Sequence, residues 1–212
     1  MKSLASFFLL LMLLMVRSQA AEPSDSIALP AVADELITMQ VEDQRYRGNN
    51  DPIFDTTLWS DSLEQWIWQR QSEIDSANVA RLDELIAQHG WLGIDKVGKD
   101  GASAVFLIIQ HAALAVQERY LPQMQEAVND GDFPAAYLAY LVDRIRMRKG
   151  EPQLYGTQLI VSSETGNTEL YPIEDEANVD KRRADVGLGP LADYLAGFGI
   201  DYEPPHDTAA AK

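Results

Sequence analysis

The chain has 212 residues, with 17 Lys and Arg against 33 Asp and Glu, 3 His, no Cys, and a formal net charge of −16 at pH 7. So acidic a surface repels phosphate backbones, which excludes nucleic acid and anionic membranes as partners. Without cysteine there are no disulfides, thiolate nucleophiles or cysteine-ligated metals.

Lys2 supplies a short positive start, Leu4 to Val16 is an apolar run, and Ser18-Gln19-Ala20 resembles a cleavage site before Ala21. This is the layout of a secretory signal peptide, because the run is shorter than the ~20 apolar residues of a membrane-spanning helix. A retained N-terminal anchor is the rival reading. No Cys follows the run, which excludes a lipid-anchored lipoprotein. Residues 1–20 are therefore expected to be removed. Residues 21–33 then form a flexible leader, 34–200 a single mainly helical domain, and 201–212 a disordered tail. The mature chain keeps 15 Lys and Arg against 33 Asp and Glu, a net charge near −18. Export without cysteine fits a bacterial periplasm, or secretion, with no membrane association after cleavage.

Helical spacing dominates the first two-thirds of the mature chain. Leu36, Ile37 and Met39 or Gln40 predict an amphipathic helix from Asp34 to about Arg47, ending before the polar loop Gly48-Asn49-Asn50-Asp51-Pro52. Asp61 and Glu64 have capping-box spacing, and Trp59, Leu63, Trp66 and Ile67 share one face of the helix that follows. Trp68 falls off that stripe. Asn78 to His89 reads as a separate helix stopped by Gly90, and Trp91 to Gly101, rich in glycine, reads as a loop. From Ala102 to Ala113 no polar face remains, as in a buried helix. Further helices are predicted over Val116–Asn129 and from Pro134 to about Lys149, the latter with Gly150 just past its end.

The period then changes. Leu159-Ile160-Val161 and Glu169-Leu170-Tyr171 flank a turn containing Gly166-Asn167, which predicts a β-hairpin. A helix capped by Asn178 or Asp175 and a short one over Leu191–Phe198 close the chain. The expected fold class is mainly α (α+β), a helical bundle-like domain with one C-terminal β-hairpin.

Polar groups interrupt the apolar pattern at Gln110-His111, at Asp143-Arg144, and over Gln153 to Gln158. Burying such groups costs roughly 1–3 kcal/mol each unless they are hydrogen-bonded, so the pattern predicts one mutually satisfied cluster. His111 is flanked by apolar residues on every helical side, where it serves either as a general base or as a satisfied core histidine. Asp143 shares an inward stripe with Ala136, Ala139, Tyr140 and Met147. Arg144 projects about 100° away from it, so Asp143 needs a tertiary partner, with Arg182, Arg183 and His111 as the candidates. Tyr155, Thr157 and Gln158 offer neutral donors and acceptors to a ligand, beside a Gly156 that permits close approach. Arg182 and Arg183 suit a planar anion as readily as structural salt bridges. Asp43 and Arg47, four apart, read as a surface pair worth a few tenths of a kcal/mol.

Several of these residues carry a resemblance. The order Asp43-Gln44, Gly90-Trp91, Val97-Gly98, Gln110-His111-Ala112, Asp143-Arg144, Gln153 with Tyr155-Gly156-Thr157-Gln158, Asp175, and Arg182-Arg183 before Gly187-Leu188 resembles an uncharacterised bacterial family. That family is a domain of unknown function often found behind signal peptides. The likeness runs over roughly residues 34–195, with Leu92 standing where the pattern has proline. It implies family membership and no particular activity.

No His-x-x-x-His pair, Gly-x-Ser-x-Gly elbow, phosphate loop or nucleotide fingerprint is present, so no metal and no cofactor is expected. One expectation is a metal-independent hydrolase or transferase on a small polar or anionic substrate. In it His111 and Asp143 are the catalytic pair, and Gln110, Tyr155, Thr157, Gln158, Arg182 and Arg183 bind. The alternative is a non-catalytic periplasmic domain that binds a ligand or protein through a structural polar cluster. Mass spectrometry of exported protein should find Ala21 as the first residue; a retained Met1 would establish the anchor instead.

Overall fold

The structure is a computed structural model that describes residues 27–47, 60–162 and 164–203. The expected signal peptide, the Gly48–Pro52 loop, Trp59 and the end of the tail lie outside the described residues. The chain divides into two compact units at Phe133 and Pro134.

In the first unit, helix α1 spans Pro30–Asp43, α2 Asp61–His89, α3 Ile94–His111 and α4 Leu114–Asn129. α1 starts earlier than Asp34 because Pro30 sits in its first turn, where a missing N–H costs nothing. Leu29 N–H donates to the Lys96 carbonyl at 2.8 Å, and Ala33 is buried. The cap of α2 is Ser60, whose hydroxyl accepts the Leu63 N–H at 3.3 Å, so the N-terminal signal sits one residue before Asp61.

α2 runs unbroken through Asn78, because no Gly or Pro interrupts residues 61–89. Its buried stripe is Ile67, Gln71, Asn78, Leu82 and Leu85. Leu63 and Trp66 are therefore exposed, against expectation; Trp66 meets Tyr46 edge-on with ring centroids 5.9 Å apart. The glycine-rich stretch after Trp91 is helical from Ile94, broken at Gly98, where φ is 70° and ψ 177°. Residues 101–110 are all buried, and this is the core of the unit, with α1 packed along it. α4 continues through an exposed Pro122 and is tied to α2 by Asp83, which accepts from Arg119 at 2.7 and 2.9 Å and from the Tyr120 hydroxyl.

In the second unit, α5 spans Ala135–Arg148 and the strands β1 and β2 span Leu159–Val161 and Thr168–Leu170. The helices α6, Val179–Asp185, and α7, Leu191–Ala196, follow. α5 ends in a Schellman motif: Glu151 N–H reaches the Arg146 carbonyl at 2.9 Å and Gly150 N–H the Met147 carbonyl at 3.0 Å. β1 and β2 pair antiparallel in the register Leu159↔Leu170, Ile160↔Glu169, Val161↔Thr168. The mainly helical architecture with a C-terminal hairpin is thus as its periodicity predicts.

Gly156 bends the segment between α5 and β1. Its φ is +69°, and a Cβ there would lie 2.8 Å from Leu191 Cδ1 and 3.0 Å from Ile173 Cδ1. Gly150 has a φ of +75° with nothing within 4 Å. Gly156→Ala should therefore lose about 2 kcal/mol in denaturant titration and Gly150→Ala about 1. Equal losses would show that backbone conformation alone, and not packing, sets the requirement.

Candidate functional site

In the first unit two helix C-termini meet. Asp43 is the last residue of α1 and His111 the last of α3. Asp43 follows Ala33, Leu36 and Met39 on the buried stripe of α1 and is 1% exposed, so it is no surface residue. His111 Nδ1 lies 2.7 Å from Asp43 Oδ2, and the His111 side chain is 6% exposed. An ionised carboxylate only accepts, so Nδ1 carries the proton and a neutral ring places its lone pair on Nε2.

A second layer surrounds this pair. Gln44 Nε2 donates to Asp43 Oδ2 at 2.6 Å. The Asp43 backbone carbonyl accepts from Arg47 Nη1 at 2.5 Å and from Gln71 Nε2 at 2.9 Å. Arg47 Nη2 is bonded to Asp75 Oδ2, and Gln71 Nε2 also donates to Asp75 Oδ1 at 2.8 Å. Asn78 Nδ2 donates to the Met39 carbonyl at 3.2 Å. Gln110 is buried; its backbone carbonyl accepts from Gln117 Nε2 at 2.7 Å.

In the second unit Asp143 is fully buried on α5. The sequence points to an Arg or to His111 as its partner; its hydrogen bonds come from a loop instead. Oδ1 accepts from Leu154 N–H at 2.7 Å and Tyr155 N–H at 3.1 Å. Oδ2 accepts from Tyr155 N–H at 3.1 Å, Thr157 N–H at 3.0 Å and the Thr157 hydroxyl at 2.9 Å. Converging N–H groups bind an anion as a cation would, and the left-handed Gly156 is what turns them inward. Burial pushes the Asp143 carboxyl above its usual pKa, and these donors oppose that rise.

The remaining candidates hold the same loop. Arg183, 2% exposed, donates to the Tyr155 carbonyl at 2.7 Å and the Gly189 carbonyl at 2.6 Å, with its guanidinium 5.1 Å from the Tyr194 ring. Burial lowers its pKa, and burial raises those of Tyr155 and Tyr194. Arg182 donates to the carbonyls of Leu154, Glu174 and Asp175 at 2.8, 2.7 and 2.9 Å. Gln158 Nε2 donates to the Thr157 hydroxyl at 2.9 Å, and Gln153 brackets Gln158 from both sides. Tyr194 donates its hydroxyl to the Thr157 carbonyl at 2.9 Å.

The carboxylate on His111 is therefore Asp43 and not Asp143. The 36–39–43 spacing of α1 carried that signal. Gln71, Asp75 and Gln117 carry no such signal, because a polar residue on a long helix is ordinarily on its solvent face. Among the described residues no group of three or more His, Cys, Asp or Glu could hold a metal ion, and no helix is long and apolar enough to cross a membrane.

The fold and these buried polar knots define a mainly helical domain with a small antiparallel sheet near its C-terminus. The chain belongs to DUF6624, a family of unknown function, which it matches over residues 30–202. No curated protein and no solved structure matches it.

Asp143→Asn exchanges an accepting oxygen for an NH2 that faces N–H donors. It should cost about 2–3 kcal/mol in chemical denaturation. A loss below 0.5 kcal/mol, on the order of a surface change, would refute the nest as a structural element.

Proposed function

We propose that the chain is an exported enzyme, a hydrolase or transferase acting on a small polar or anionic substrate, with His111 as general base. The observation that carries this reading is the 2.7 Å contact between His111 Nδ1 and the buried Asp43 carboxylate. A carboxylate on Nδ1 selects the tautomer whose Nε2 can take a proton, and it stabilises the imidazolium formed when it does. Asp43 replaces Asp143 in the orienting role. The signal-like start of the sequence supports export to the periplasm or beyond.

The second reading, a non-catalytic binding domain, draws on the second unit. There Asp143, Thr157, Arg182 and Arg183 satisfy one another's loop, as in a cluster that specifies a core. The dyad in the first unit has the pairing that proton transfer uses.

The test is a screen of the chain from Ala21 onward against hydrolase and transferase substrates, beside His111→Gln and Asp43→Asn. A positioned base is worth roughly 100-fold or more. Both variants should lose activity on that scale, with His111→Gln keeping its circular dichroism and melting temperature. A wild type no more active than folded His111→Gln on every substrate favours the binding domain.

A further inference from the structure

Arg47 stands between two carboxylates and divides itself unequally. Its Nη1 lies 3.5 Å from Asp43 Oδ1 but 2.5 Å from the Asp43 backbone carbonyl oxygen. Its Nη2 is bonded to Asp75 Oδ2. Gln71 locks this arrangement: its Nε2 reaches both the Asp43 carbonyl and Asp75 Oδ1, and its Oε1 accepts the Tyr46 N–H at 3.1 Å. Apart from that 3.5 Å contact with Arg47, the Asp43 carboxylate has a neutral amide from Gln44 and the His111 ring.

Coulomb attraction falls with distance and grows as water is excluded. Were the guanidinium to close on Asp43, that charge would be spent on Arg47 and His111 would lose its counter-ion. Asp75 draws the guanidinium the other way. We infer that Asp75 is a positioning residue for His111: through Arg47 it keeps the Asp43 charge for the imidazole, and so keeps the ring basic with its proton on Nδ1.

Among the described residues of this unit, several elements contribute polar groups around the pair. α1 and the turn after it supply Asp43, Gln44 and Arg47, α2 supplies Gln71, Asp75 and Asn78, α3 supplies Gln110, and α4 supplies Gln117. Of these Asp43, Arg47 and Asp75 are charged. Glu42 and Arg45 pair with each other at the surface. The inference builds on His111 as the base, but its readout is the ring itself and needs no substrate.

Nitrogen NMR of the mature protein reads both the titration and the tautomer of His111, its resonances identified by their loss in His111→Gln. Asp75→Asn should lower the His111 titration midpoint by about one unit, and Arg47→Met should raise it by about as much. Asp75→Glu, which keeps the charge, should restore the wild-type midpoint. Midpoints that stay put in both variants, or move the same way as general loosening would move them, overturn the inference. Should Asp75→Asn not fold, Arg47→Met and Asp75→Glu decide it by the same signs. Opposite shifts alongside a dead activity screen refute the enzyme and leave the positioning intact. An active enzyme with unmoved midpoints does the reverse.

Discussion

A carboxylate removed from water has to be met by donors, and this chain buries Asp43 and Asp143 almost completely. Left unmet, each would cost several kcal/mol, a large part of the stability of a small domain. The local structure around both follows from that demand. The burden is heavier at Asp43, because it closes a helix. The last carbonyls of α1 already put partial negative charge there, and no basic residue lies in its last turn. His111, Gln44 and Arg47 have to supply what the helix does not.

The two units meet the same demand by different chemistry. Around Asp143 the donors are backbone amides and a hydroxyl, none of which titrates near neutral pH. Such a nest can hold a loop to a helix but has no proton to give. Around Asp43 the donors are the Gln44 amide at 2.6 Å and, at 2.7 Å, an imidazole, the side chain whose charge changes in the neutral range. One carboxylate therefore serves as a fastening. The other faces a side chain that can change its charge.

The same contrast explains how much the sequence disclosed. The buried helix from Ala102, the Gly150 stop and the hairpin around Gly166-Asn167 are local: their signals are periodicity, a glycine past a helix end, and a turn pair. Trp66 misled because it sits beside Ile67 on the helix surface, and a large aromatic residue suggests a core. The stripe that packs is set instead by Leu82 and Leu85 further along α2, in phase with Gln71 and Asn78. Gly93 and Gly98 suggested a loop, yet Gly93 is the N-cap of α3, where a Cβ would meet the Asp132 carboxylate, and Gly98, with a φ of +70°, makes its kink.

That polar groups at His111, Asp143 and the Tyr155–Gln158 run break an apolar pattern was written in the sequence, because that pattern is local. Their partners were not. Asp43 lies 68 positions from His111, and no local spacing brings such a pair together; the packing of α1 along α3 does. Nor could the sequence show that Asp143 would be met by amides rather than a guanidinium. Every residue has an N–H, and only the tertiary path through Gly156 aims three of them at one carboxylate.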